Sequence, residues 1–83
     1  MYANLMVAPP GITQRQREVV ALIAAGCSNE EVAQRLGISA RTAKAHSDAL
    51  RQKLGVPRRR QIPAAYRRLT GEDPLQIPLS GDR

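Results

Sequence analysis

The chain contains one cysteine, two tyrosines, no phenylalanine and no tryptophan. Cys27 alone cannot close an internal disulfide, and with His46 as the one imidazole there is no metal-ligand set. No metal or cofactor is expected, and the cysteine usage suits a reducing cytosol. Tyr2 and Tyr66 do not make an aromatic platform for stacking single-stranded bases. No apolar run approaches the ~18 residues that a membrane span needs. The start MYANLMVAPPG lacks the basic stretch of a signal peptide, so a cytoplasmic chain with no membrane partner is expected. Catalytic signatures are missing too: no paired carboxylates, no nucleophile beside a base, no phosphate-binding glycine loop. The chain is not expected to be an enzyme.

Acidic residues are scarce where it matters. Against 13 Lys and Arg stand 7 Asp and Glu, a net charge of +6. Between Arg41 and Arg68 lie Arg41, Lys44, Arg51, Lys53, Arg58, Arg59, Arg60, Arg67 and Arg68, with Asp48 the one acid among them. Such a cluster is the electrostatic footprint of a polyanion partner. A chain of 83 residues fits one small domain with a thin core.

Helix punctuation divides the chain. Residues 1–11 end in Pro-Pro-Gly and read as an N-terminal arm. Thr13 is placed to cap a first helix from Gln14 to Ala25, with Val19, Val20, Leu22 and Ile23 as its apolar stripe and Gly26 as its left-handed end. Ser28 and Glu31 make a capping box for a second helix, whose buried side is Val32, Ala33 and Leu36 and whose end is Gly37. Ile38 sits in the following turn, apolar and inward-facing. Ser39 caps a third helix running to about Leu54, stopped by Gly55 and Pro57. A fourth helix spans about Arg59 to Leu69; Pro63 makes it either start late or kink. Residues 71–83, with two prolines, read as an extended, flexible tail. The expected architecture is all-α, four helices over residues 12–70, with arm and tail outside them.

The third helix sorts by face at about 100° per residue. Ala43, Ser47, Leu50 and Leu54 fall in one arc toward the core. The opposite arc holds Arg41, Lys44, Ala45, Asp48, Ala49 and Gln52, and Thr42, His46 and Lys53 line one flank. A helix of this kind, propped on a shorter one, is suited to the major groove of double-stranded DNA. Arg41 and Lys44 are then candidates for guanine O6 and N7, Ala45 for a thymine methyl, Asp48 for cytosine N4, and Gln52 for a base edge. Thr42, His46 and Lys53, with Asn29 at the start of the second helix, suit phosphates. Ser47 is a hydroxyl on the core side, expected to bond a carbonyl one turn back.

These residues resemble the LuxR/GerE-type helix-turn-helix domain of bacterial transcription regulators. The matching words are Thr13-x-Arg15-x-Arg17-Glu18-Val19; Leu22-Ile23-Ala24-x-Gly26-x-Ser28-Asn29-x-Glu31-Val32-Ala33; Leu36-x-Ile38-Ser39-x-x-Thr42-x-Lys44-x-His46; and Lys53-Leu54-Gly55-Val56 with Arg59. The resemblance implies a stand-alone, four-helix regulator with its third helix in the groove and a homodimer through the fourth helix, about 59–69. It implies base contacts from Lys44 and Ala45, phosphate contacts from Thr42, His46 and Asn29, and places Arg59 with the phosphate set. Ala43 and Ser47 stand where the family has larger apolar residues, so the core beneath the third helix is expected to need filling by Tyr66, Ile62 or the arm. A sigma region-four-like domain shares the helix-turn-helix, but His46 and the Lys53–Val56 word favour the LuxR/GerE type. The alternative function is a protein-interaction module that binds a larger regulator or RNA polymerase.

Overall fold

A computed structural model describes residues 11–79, and among these the regular structure is entirely helical. Helix α1 spans Gln14–Ala24, α2 Asn29–Leu36, α3 Ala40–Leu54 and α4 Ile62–Thr70. Single 3-10 turns at Arg59–Gln61 and Pro74–Gln76 flank α4 on its two sides. The N-terminal arm, apart from Gly11, lies outside the described residues.

Each of the first three helices begins where a side chain can satisfy orphan backbone donors. Thr13 Oγ1 accepts from Gln16 N at 3.0 Å while Gln16 Oε1 accepts from Thr13 N at 3.2 Å, a capping box with glutamine in place of glutamate. Ser28 and Glu31 form the expected box before α2, and Ser39 Oγ accepts from Thr42 N before α3. The helix ends are equally local. At α1 the C-cap is Ala25; Gly26, one residue on, takes φ 93°, so that its N–H reaches Ile23 O and that of Cys27 reaches Leu22 O. Gly55 does the same after α3, with Val56 N donating to Arg51 O at 3.0 Å. Both are Schellman-type closures that need a left-handed residue.

Pro63 starts α4 late rather than kinking it. The chain makes its 3-10 turn over Arg59–Gln61, and α4 then opens at Ile62 with Pro63 in the first turn. At that position the missing N–H is one that an opening helix leaves unpaired anyway, and the fixed backbone angle suits the first turn, so the proline costs the helix little.

The core gathers α1 against α3 and α4, with α2 packed on α3. Val19, Val20, Val32, Ala43, Leu50, Ile62 and Tyr66 are fully inaccessible, and Leu54 is half-buried. Ala43 belongs to the same apolar cluster as Ile62 and Tyr66, and Ser47 beside it is buried. Ser47 Oγ donates to Lys44 O at 3.1 Å, which satisfies the hydroxyl within its own helix.

The expected flexible tail is corrected over its described part, through Leu79. Ile77 is buried in the core cluster, Pro74 is buried, and Leu79 packs against the cluster. The reason is polar as well as apolar. Glu72, just past the end of α4, accepts from Arg17 Nε of α1 at 2.9 Å and is engaged by the same guanidinium at its other oxygen. Tyr66 donates its hydroxyl to Glu72 Oε1 at 2.6 Å. The hydrogen bond from Arg17 chiefly holds the Glu72 carboxyl below the usual carboxylate range, and burial pushes the Tyr66 hydroxyl up to about 12. Arg17 was legible as a helix cation; nothing in the local pattern marks it as the partner of a residue 55 positions on.

Glu72→Ala strips the buried Arg17 and Tyr66 of their shared acceptor and is expected to cost about 2 kcal/mol in urea unfolding. Leu75→Ala, at an exposed position of the same segment, is expected to stay within about 0.5 kcal/mol. Equal losses from the two would mean that the ion pair does not anchor the segment.

Candidate nucleic-acid interface

The surface of interest is built from α3 outward. Its core strip leaves Arg41, Thr42, Lys44, Ala45, Gln52 and Lys53 exposed, with Asp48 and Ala49 half-buried. Ala45 and Ala49 keep the exposed strip low, so that a neighbouring surface can come close to the backbone. About 100° steps divide this strip into a middle of Arg41, Ala45 and Gln52 between two edges. One edge holds Thr42, His46 and Lys53; the other holds Lys44, Asp48 and Arg51.

The first edge is tied to α1. Lys53 Nζ donates to Gln16 Oε1 at 2.8 Å, the same oxygen that caps the first turn of α1. His46 is half-buried beside it, and its imidazole is held below its ordinary value by burial first, then by the charges of Arg15 and Lys53. Arg15, whose guanidinium pairs with Glu18 at 3.0 Å, therefore adds a cation to this edge from a different helix. Sequence reasoning did not assign Arg15 to the site. Its signal was its place in the Thr13–Val19 word, but only packing of α1 on α3 brings its charge to His46.

The second edge is a chain of ion pairs. Lys44 Nζ lies 2.9 Å from Asp48 Oδ2, and Arg51 NH2 lies 2.9 Å from Asp48 Oδ1. Arg51 also donates to Pro57 O at 3.2 Å, which links the helix to the loop that follows it. Lys44 and then Arg51 hold the Asp48 carboxyl below the usual carboxylate range. These pairs are open to solvent, where ion pairs contribute little net stability and exchange readily.

Asn29 and Arg59, distant in sequence, meet at the start of α2. Arg59 Nε donates to Asn29 Oδ1 at 3.1 Å and its NH2 to Cys27 O at 2.9 Å. This fork fastens the turn before α4 to the turn before α2. With its oxygen engaged, the Asn29 amide nitrogen remains as a donor at the helix N-terminus. Cys27 itself is buried.

The short α2 thus packs against the basic, small-residue α3, with the donors of Asn29, Thr42 and Lys53 on its flank. The family model described as bacterial regulatory proteins, luxR family, matches residues 10–64. The chain belongs to the luxR family. The similar proteins include the transcriptional regulatory protein MctR of Rhizobium johnstonii, 47% identical over 45 residues, which are 54% of this chain and 21% of MctR. They also include the HTH-type transcriptional regulator MalT of Yersinia pestis, 41% identical over 58 residues, which are 70% of this chain and 6% of MalT. The chain thus spans a quarter or less of the length of these relatives. No solved structure matches it. The luxR-family match takes in all of α1, α2 and α3 and ends within α4, so the Glu72-bearing segment lies beyond it.

His46 carries a pH prediction. Its folded-state value is depressed, so folding favours the neutral ring, and its contribution is present above the unfolded value of about 6.5. Stability is expected to fall as pH drops below that value, because the unfolded chain binds the proton first. His46→Gln should flatten the decline in thermal midpoint between about pH 7 and pH 5; an unchanged slope would remove His46 as its source.

Proposed function

We propose that this chain is a sequence-specific, double-stranded DNA-binding transcription regulator that lays α3 in the major groove and pairs as a homodimer through α4. The single observation that carries the reading is the exposed strip of α3, cationic at both edges and nearly flat at Ala45 and Ala49. Arg41 and Lys44 are assigned to guanine edges, Ala45 to a thymine methyl, Asp48 to cytosine N4 and Gln52 to a base edge. Thr42, His46 and Lys53 along the flank, with the Asn29 amide at α2, are assigned to phosphates. Arg59 completes the phosphate set chiefly by holding Asn29 in place.

The dimer reading is supported by α4, where Leu69 is 63% exposed beside a groove lined by Leu54, Ala65 and Arg68. Pairing there would present two α3 helices to half-sites about one helical turn apart. A regulator that acts on bacterial DNA works in the cytoplasm. No helix among the described residues is long and apolar enough to cross a membrane. Contact with RNA polymerase or a co-regulator is the alternative use of the same groove.

Duplex affinity is expected to fall about a thousandfold between about 50 and 200 mM salt. Arg41→Ala with Lys44→Ala should weaken binding of a selected duplex about a hundredfold while the thermal midpoint holds, because both side chains are exposed. Salt-independent affinity, or full regulatory activity in the double variant, would favour the interaction-module reading.

A further inference from the structure

Asp48 runs against the charge of its surroundings. From Ala49 to Gly71 there is no acidic residue, while Arg51, Lys53, Arg58, Arg59, Arg60, Arg67 and Arg68 all fall there. An acid in this position lowers attraction to any polyanion. It also does something more local. Its two oxygens are divided between two cations of the same strip, Lys44 one turn before it and Arg51 one turn after, each at 2.9 Å.

We propose that Asp48 is a specificity-determining residue that withholds Lys44 and Arg51 from DNA unless the duplex offers a replacement partner to its own carboxylate. This rests on the reading above, in which α3 lies in the major groove. The chemistry is an exchange of partners. On random duplex the phosphates can take Lys44 and Arg51, but Asp48 is then left unpaired and facing backbone charge. A G·C pair supplies both halves of the exchange, because guanine O6 and N7 accept from Lys44 while cytosine N4 donates to Asp48. Solvent-exposed ion pairs open at small cost, so the exchange is reversible and selects among sequences rather than blocking all of them. The carboxylate thereby turns general attraction into discrimination.

The test uses the whole chain, a duplex selected by the wild-type protein from a randomised pool, and a random duplex of the same length. Asp48→Asn is expected to bind random duplex about fivefold more tightly at fixed salt and to steepen the slope of log affinity against log salt by about 1. Asp48→Ala, which removes the acceptor for cytosine N4 along with the charge, should lower preference for the selected duplex about tenfold, the loss of one good base contact. Asp48→Glu, which keeps the charge, should retain weak binding of random duplex. Asp73→Asn serves as the control: it removes one negative charge away from α3 and keeps an acceptor for the Leu75 N–H. If Asp73→Asn strengthens random binding as much as Asp48→Asn, net charge is the whole effect and the proposal fails alone. Undiminished preference in Asp48→Ala also overturns it alone. If the wild-type chain enriches no sequence from the pool, the groove reading and this proposal fall together.

Discussion

Everything in this domain depends on pressing α3 tightly onto the other helices along one narrow strip while most of its circumference stays bare. A helix that buries a wide apolar face has little left to offer a partner. The strip here is Ala43, Ser47 and Leu50, all nearly inaccessible, with half-buried Leu54 below. Two of those residues are small, which lets the helix approach closely, and the bulkier Ile62 and Tyr66 of α4 belong to the same buried core. Ser47 adds no polar burden because its hydroxyl is satisfied one turn back within α3. A thin core thus supports a helix with an unusually free outer surface.

Polar bonds between elements then do what a larger core does elsewhere. Gln16 caps α1 and holds Lys53 of α3; Arg59 clasps the turn before α2; Arg17 and Tyr66 share Glu72 from the segment after α4. Three of these bonds, Lys53 to Gln16, Arg59 to Asn29 and Arg17 to Glu72, join groups remote in sequence, and each fixes a side chain that borders the exposed strip or closes the core behind it. The side chains assigned to DNA are therefore oriented partly by the folding bonds themselves. Asp48 extends that logic onto the surface, where its partners are the two cations beside it.

Much of the fold was legible because helix boundaries are local. Thr13, Ser28 and Ser39 cap, and glycines close, through bonds spanning a few residues, so reading the string is enough. The side of α3 that faces inward was equally legible, since it follows from helical periodicity alone. Pro63 left two choices open, and the turn over Arg59–Gln61 decided for a late start. The stretch after Gly71 was misread because its prolines advertise a break in regular structure, while its anchoring comes from Arg17 and from the apolar cluster that receives Ile77.

The sequence by itself determined four helices, their caps, the inward strip of α3, the concentration of cations around it, and the luxR-family words that run through them. All of these are properties of short windows or of composition. Tertiary structure alone decided that Arg15 joins the His46 edge, that Arg59 holds Asn29, and that the chain beyond α4 closes onto α1. Those outcomes depend on which helix faces lie against one another, and no short window of sequence contains both partners.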